Sequence, residues 1–457
     1  MRDPDTQPKF SIIVIGAGIC GCASALGLAR RGHRVCVLEA RPALSELGAG
    51  LQISPNGSRI LCAWGLRARF EEFVCQPPWV QYRTYDTGET LGKHPRNINS
   101  WYEDIYGSPL WTIYRPHYQQ LLAESAVSHG AELVFSAKAV KVDADTGTVY
   151  TTDGRCFKAD LIVGADGIWS KARAGIASCR DIVPIVWDEY AYRCLADRDH
   201  MLTAPPTAAL SNNGDTNFFL GPSGILLCYP CNQGKSFNIV APCHRPVNKE
   251  AHDTFNPEVD PVELVDAYKD FFSPVPELLS SIKKCVKWTI VYLPDLPTYS
   301  SENGRIVLLG DAAHAMLPAA ASASNMAVED AAALCECISA CKVVSELKSA
   351  VKAYEAIRKR RNDRVWEISM ISQRNVSSYT AKSYNDAVAA RNEGLRKATE
   401  ELAEYLKLSS EDRKALQASQ VGDEAAIYPS PALLKWLYGY DTITVSREYL
   451  RDNPLSQ

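Results

Sequence analysis

The sequence predicts an α/β chain, in which a parallel sheet wound with helices is interrupted by an inserted mixed sheet and followed by C-terminal helices. Three observations predict it. Phe10-Ser11-Ile12-Ile13-Val14-Ile15 is a continuous apolar, β-branched run of the kind a strand buried on both faces needs. Small and helix-forming residues fill 19–31, Gly32 stops them, and 34–38 is a second apolar strand, completing a βαβ unit. Between 181 and 295 the texture changes to short aromatic and aliphatic runs, such as Phe218-Phe219-Leu220, separated by Pro, Gly and Asn.

The remaining elements follow the same logic. Strand signals recur at 159–163 and 305–309, after the turn pairs Asp153-Gly154 and Asn303-Gly304. After Ala327 the pattern is helical, and 346–375 reads as a charged amphipathic helix whose run Arg358-Lys359-Arg360-Arg361 is expected to be a solvated face. The chain divides accordingly into 1–75, 111–180 and 296–345 as one discontinuous domain, 76–110 with 181–295 as the inserted one, and 346–457 as a helical region.

Composition narrows the function. The 457 residues carry 46% hydrophobic and 22% charged side chains, the balance of a packed globular protein. Lys+Arg 49 against Asp+Glu 53 gives a net charge of −4, too small an imbalance for a nucleic-acid footprint. Fifteen cysteines lack the spacing of a disulfide framework, so reduced thiols in a cytoplasmic compartment are expected. The polar opening with Asp3 and Asp5 shows no signal peptide, and no uncharged stretch escapes interruption by proline long enough to span a membrane.

Gly16-Ala17-Gly18-Ile19-Cys20-Gly21 lies between strand and helix. The first glycine suits a tight turn, the second a close approach to a pyrophosphate, and the third the packing of helix on strand. Glu39 closes the second strand 18 residues after Gly21, where an acid would bind ribose hydroxyls. Two further constellations follow buried strands: Gly164-Ala165-Asp166-Gly167-Ile168-Trp169-Ser170-Lys171-Ala172-Arg173, and Gly310-Asp311-Ala312-Ala313-His314 with Pro318 beyond it. Cys228-Tyr229-Pro230-Cys231 lacks the second pair a structural zinc site needs, and no metal site is expected. No HExxH motif or Ser-His-Asp arrangement is visible.

Together these motifs resemble the flavoprotein aromatic hydroxylases, single-component FAD-dependent monooxygenases, and among them the salicylate hydroxylase-like fungal branch. The segments 48–56, Tyr114-Arg115-Pro116-His117, Tyr354-Glu355 with Arg358 and Arg361, and Trp436-Leu437-Tyr438-Gly439-Tyr440-Asp441 extend the resemblance over nearly the whole chain. It implies a Rossmann-type FAD-binding domain of the p-hydroxybenzoate hydroxylase kind. Gly16, Gly18 and Gly21 would then hold the FAD pyrophosphate and Glu39 the adenosine ribose. Gly50, Arg115 and Pro318 would lie along the cofactor, with Asp166 serving FAD and transient NADPH or NADH, and Arg173 as its structural partner. Asp311 would accept from the ribityl hydroxyls. A helix starting near Ser324 would direct backbone N–H groups of Ala323 and Ser324 at the flavin, although Ser322-Ala323 stands where the family usually has Gln-Gly.

The resemblance also implies the reaction: insertion of one atom of O2 into an electron-rich, phenol-like substrate through a flavin hydroperoxide. Tyr192-Arg193 and Tyr229-Pro230 resemble substrate-facing positions, with Arg193 and Tyr229 as the catalytic candidates. Arg193 would hold a phenolate or carbonyl oxygen while Tyr229 relays a proton. Pairing of Arg193 with Asp188 or Glu189 is the competing reading. Trp187, Tyr190, Tyr192, Phe218, Phe219 and Trp288 are the expected apolar walls. Epoxidation of an indole or alkene, an oxidase or dehydrogenase reaction, and FAD binding without oxygenation stay open at this level. The expected partners are a small aromatic substrate and O2, in a monomer or homodimer.

Overall fold

A computed structural model describes residues 8–44, 48–93, 97–221, 224–243, 247, 258–377, 400, 404, 407–409 and 431–456. A five-stranded parallel sheet, ordered Ile306–Leu308, Leu161–Gly164, Ser11–Ile15, Arg34–Leu38 and Glu132–Val134, forms the first layer. Its central strand is buried along Ile12–Ile15, as its uninterrupted apolar run requires. The helices Ile19–Ala29 and Ala323–Ser339 pack against each other, with Gly27 facing Cys335.

The inserted lobe is an eight-stranded mixed sheet. Its order is Glu258–Val259, Cys285–Tyr292, Ile185–Asp197, Ser236–Cys243, Gly224–Cys231, Thr216–Gly221, Val80–Thr84 and Thr90–Lys93. The last two strands come from the segment expected to join this lobe, and only the pairing of Thr216–Gly221 with Val80–Thr84 is parallel.

Strand alternation gives this sheet two faces. One carries Tyr192, Cys194, Phe219, Cys228, Phe237 and Ile239, packed under helices that contribute Leu264, Leu278 and Leu279. The other carries Arg193, Ala191, Val240 and Ile290, and it faces the first domain: Ala191 and Ile290 share a cluster with Leu317 and Met370. Tyr190, Tyr192 and Phe219 therefore belong to the face away from the first domain and are not walls beside Arg193, contrary to the sequence reading. Adjacent strand residues cannot share a face, so Tyr192 and Arg193 diverge.

Tyr192 instead donates to Glu263 Oε2 (2.5 Å), which Lys287 also reaches at 3.3 Å. Tyr192→Phe is expected to cost about 1 kcal/mol of stability and to leave turnover at the wild-type rate, as checked by thermal melts beside steady-state kinetics.

The helix Leu347–Ser377 crosses the first domain. Its basic run is not a solvated face: Arg358 and Arg361 are buried at 0% and 5% exposure, and only Arg360 is exposed. Of the expected helical region 346–457, much of 378–430 lies outside the described residues. Among the described residues no helix is long and apolar enough to cross a membrane.

Candidate active site

The three glycine-and-acid motifs meet at the C-terminal ends of the parallel strands, where ligands of open α/β sheets bind. Gly16 has φ +97°, and a Cβ there would stand 2.6 Å from the Ala165 carbonyl oxygen, next to Asp166. A Cβ on Gly310, at φ +56°, would lie 3.0 Å from Cys20 Sγ of the first motif. Arg173 donates to the Ala312 carbonyl (3.1 Å) and to the Ile168 carbonyl (2.8 Å), joining the second motif to the third. Segments separated by hundreds of residues thus form one rim.

Within that rim Gly18 differs from its neighbours. It caps the N-terminus of the helix Ile19–Ala29 without any side-chain cap, and a Cβ built there meets nothing within 4 Å. Open space at an uncapped helix start is the cradle that a pyrophosphate requires. Glu39 is half-buried and accepts from the N–H of Ala17 (2.8 Å) on Oε2 and of Arg41 (2.9 Å) on Oε1, leaving each oxygen a further lone pair for a sugar hydroxyl.

Arg115 opens the helix Arg115–Ser128. Burial lowers its guanidinium pKa, with Asp311 opposing that shift most strongly and Glu39 adding to the opposition. The Asp311 carboxyl is raised by burial and pulled back by His314 and Arg115, yet its side chain is exposed. An acid hemmed in by protein and still open to solvent lines a cleft. These residues fit FAD, since uncapped N–H groups, a ribose-binding acid, and an arginine and aspartate further along suit its successive parts.

Asp166 is engaged within its own loop. Its carboxylate accepts from Ser170 Oγ (2.5 Å) and from the N–H groups of Lys171 (2.6 Å) and Ala172 (3.1 Å), so it caps the next turn and shapes the loop. Pro318 starts a tight turn, and the helix Ala323–Ser339 begins one residue before the expected Ser324. The left-handed conformation falls on Ala321 (φ +47°), whereas Ala323 is helical, so alanine in place of the family's glycine carries no backbone strain at 323.

On the inserted sheet, Arg193 lies 3.9 Å above the Trp288 ring. Among the described residues it makes no hydrogen bond or ion pair, and Asp188 and Glu189 do not pair with it. Glu189 instead accepts from Trp187 Nε1 (3.3 Å) and Gln373 Nε2 (3.1 Å). Burial lowers the Arg193 guanidinium to about 10, Tyr229 opposes this, and Arg115 adds to it. That repulsion marks the approach of the inserted sheet to the rim. At neutral pH Arg193 remains a cation. Burial pushes the Tyr229 hydroxyl well up, with Arg193 opposing, so Tyr229 stays protonated.

Asn238 was not foreseen. It is fully buried opposite Tyr229 on the neighbouring strand and accepts from the Gly50 N–H (2.7 Å). A Cβ on Gly50 would stand 2.6 Å from Asn238 Cβ and 2.8 Å from Tyr229 Cε2, so glycine lets the strand Gly50–Ile53 lie on the inserted sheet. The available signal was an amide in the alternating run Phe237-Asn238-Ile239-Val240.

Comparison with known proteins identifies the family. The family model described as FAD binding domain matches residues 9–369. FAD-dependent monooxygenase OpS4 of Beauveria bassiana (strain ARSEF 2860) is 26% identical over 444 residues, 96% of this chain and 97% of that protein. Salicylate hydroxylase of Pseudomonas putida is 29% identical over 385 residues, covering 78% of this chain and 83% of that one. The solved structure of CtdE in complex with FAD and a substrate superposes with a TM-score of 0.76 at 18% identity, covering 97% of this chain and 98% of that chain. From the converging motifs and these matches, the chain belongs to the FAD binding domain family, as an FAD-dependent monooxygenase of the aromatic hydroxylase type.

Proposed function

We propose that this protein is an NAD(P)H-dependent hydroxylase that inserts one oxygen atom of O2 into a small phenol-like substrate held between Arg193 and Tyr229. The observation that carries this reading is the half-buried Arg193 guanidinium, stacked on the Trp288 ring and left without an anion among the described residues. A cation without a protein counter-ion binds a substrate oxyanion through charge-assisted hydrogen bonds. A phenolate suits both neighbours: Arg193 donates charge-assisted hydrogen bonds, and Tyr229 lends or recovers a proton as the charge on the ring changes.

In this reading FAD is held by Gly16, Gly18 and Gly21 at the pyrophosphate and by Glu39 at the ribose. Arg115, Asp311, Pro318 and the backbone of Ala323 and Ser324 lie further along, Gly50 lies alongside, and the Asp166 loop faces the transient nicotinamide. Bound FAD supplies electron transfer from the nicotinamide and transfer of one oxygen atom from O2. The helix Ala323–Ser339 starts without a side-chain cap, so its N–H groups stabilise negative charge beside them. Leu317 packs with Ala191, Ile290 and Met370, which keeps water out between loop and sheet. Residues 1–75, 111–180 and 296–345 form the FAD-binding part, 76–110 with 181–295 the substrate part, and 346–457 the helical region.

Purified protein supplied with NADPH or NADH and a panel of phenols and hydroxybenzoates, each beside its methyl ether, tests the reading. The ionisable phenols are expected to stimulate nicotinamide oxidation at least about tenfold over their ethers. Equal stimulation by the ethers, or none by any phenol, overturns it.

A further inference from the structure

Beneath the Gly310–Asp311 turn lies a buried ion lattice that the reaction itself does not use. Asp330 Oδ2 accepts from the Gly310 N–H (2.9 Å) and pairs with His314 Nε2 (2.6 Å), while its Oδ1 accepts from Arg358 Nε (2.9 Å) and Asn362 Nδ2 (3.0 Å). Glu329 accepts from Arg358 Nη1 (2.6 Å), Arg361 Nε (2.7 Å) and Nη2 (2.8 Å), and Asn56 Nδ2 (2.7 Å). Two carboxylates balance two guanidiniums, and Glu329, Asp330 and Arg358 are all at 0% exposure. Such a lattice keeps its geometry only while its remaining donors are satisfied and water stays out.

The closing contacts come from residues 436–440, beyond the stretch 9–369 that matches the family model. Arg361 donates to the carbonyls of Trp436 (3.2 Å) and Leu437 (2.8 Å). The Tyr440 ring lies 3.8 Å from the Arg361 guanidinium, which the Trp436 ring also faces at 4.7 Å, and 5.9 Å from that of Arg358. Arg59 donates to the Tyr440 carbonyl (2.6 Å) and the Tyr438 carbonyl (3.2 Å), fastening the segment over the lattice.

We propose that Tyr440 is a positioning residue for the cofactor. Its ring face holds the Arg361 guanidinium by a cation–π contact, and through Glu329, Arg358 and Asp330 this fixes Gly310 and His314, and with them Asp311, at the FAD cleft. The proposal rests on the reading of that cleft as the FAD site.

The test is FAD titration of stripped protein carrying Tyr440→Ala and Tyr440→Phe, with the visible circular dichroism of the bound flavin and thermal melts alongside. Tyr440→Ala is expected to weaken FAD binding about tenfold and alter the flavin dichroism, whereas Tyr440→Phe, which keeps the ring, stays within about twofold of wild type. Should Tyr440→Ala fail to fold, Tyr440→Leu, which keeps bulk without the ring's charge distribution, carries the same expectation. Wild-type FAD affinity and dichroism in the alanine or leucine variant, with only a lower melting temperature, overturns the proposal, as does a phenylalanine variant as impaired as alanine. Wild-type protein that binds no FAD would instead refute the reading of the cleft.

Discussion

Gly18→Ala is expected to yield protein as stable as the wild type that binds FAD at least about 100-fold more weakly, a loss of about 2.7 kcal/mol. Gly18 sits at φ −68° and ψ −179°, a conformation any residue adopts, and its added methyl touches no protein atom within 4 Å. Only a ligand approaching the helix start would meet it. Gly21→Ala is the contrasting variant, because its methyl would run into the Gly16 carbonyl oxygen, backbone that cannot step aside. That variant is expected to lose stability as well as FAD. Melting curves of the stripped proteins and flavin fluorescence titrations separate the two. Unchanged FAD affinity in Gly18→Ala would mean that the pyrophosphate does not lie there.

Arg193→Met is expected to lower kcat/KM for the phenolic substrate by ~100-fold or more, about 3 kcal/mol, while FAD affinity stays at the wild-type value. Methionine fills the space above Trp288 and keeps a favourable contact with the ring, so packing is preserved and the charge alone is removed. The proposed substrate oxyanion then loses its counter-ion in a site where Tyr229 stays protonated. A fall in kcat/KM of less than about threefold would place the substrate's anchor elsewhere.

The fold of the glycine-rich turns and the strands they follow was largely legible in the sequence, because its determinants are local. A buried strand must read as an apolar run, and the turn leaving it must be glycine-rich, so the placement of Gly16, Gly18, Gly21 and Glu39 needs only a short window. The start of Arg115–Ser128 at Arg115 was visible for the same reason, with Pro116 marking a first helical turn.

What was missed depends on distant partners. Arg358 and Arg361 look like a solvated run until Glu329 and Asp330, about thirty residues earlier, are brought against them. The adjacent acids in Met326-Ala327-Val328-Glu329-Asp330-Ala331-Ala332 were the available signal, since carboxylates amid small apolar residues must find buried cations. Tyr192 was misassigned although alternation forbids its sharing a face with Arg193. The pairing shift between Val186 and Tyr190 further hid which face meets the first domain. Asp166 sits where its motif places it, but its carboxylate is committed to Ser170, Lys171 and Ala172, a choice only three-dimensional structure reveals.

Turnover of a phenol that stimulates nicotinamide oxidation, carried out under isotopically labelled O2 in ordinary water, bears most directly on the proposal that FAD and substrate meet at Arg193 and Tyr229. The expected product carries one labelled oxygen atom, and Arg193→Met forms far less of it while still holding FAD. Product oxygen drawn from water, or labelled O2 recovered entirely as hydrogen peroxide with the phenol unchanged, would contradict it.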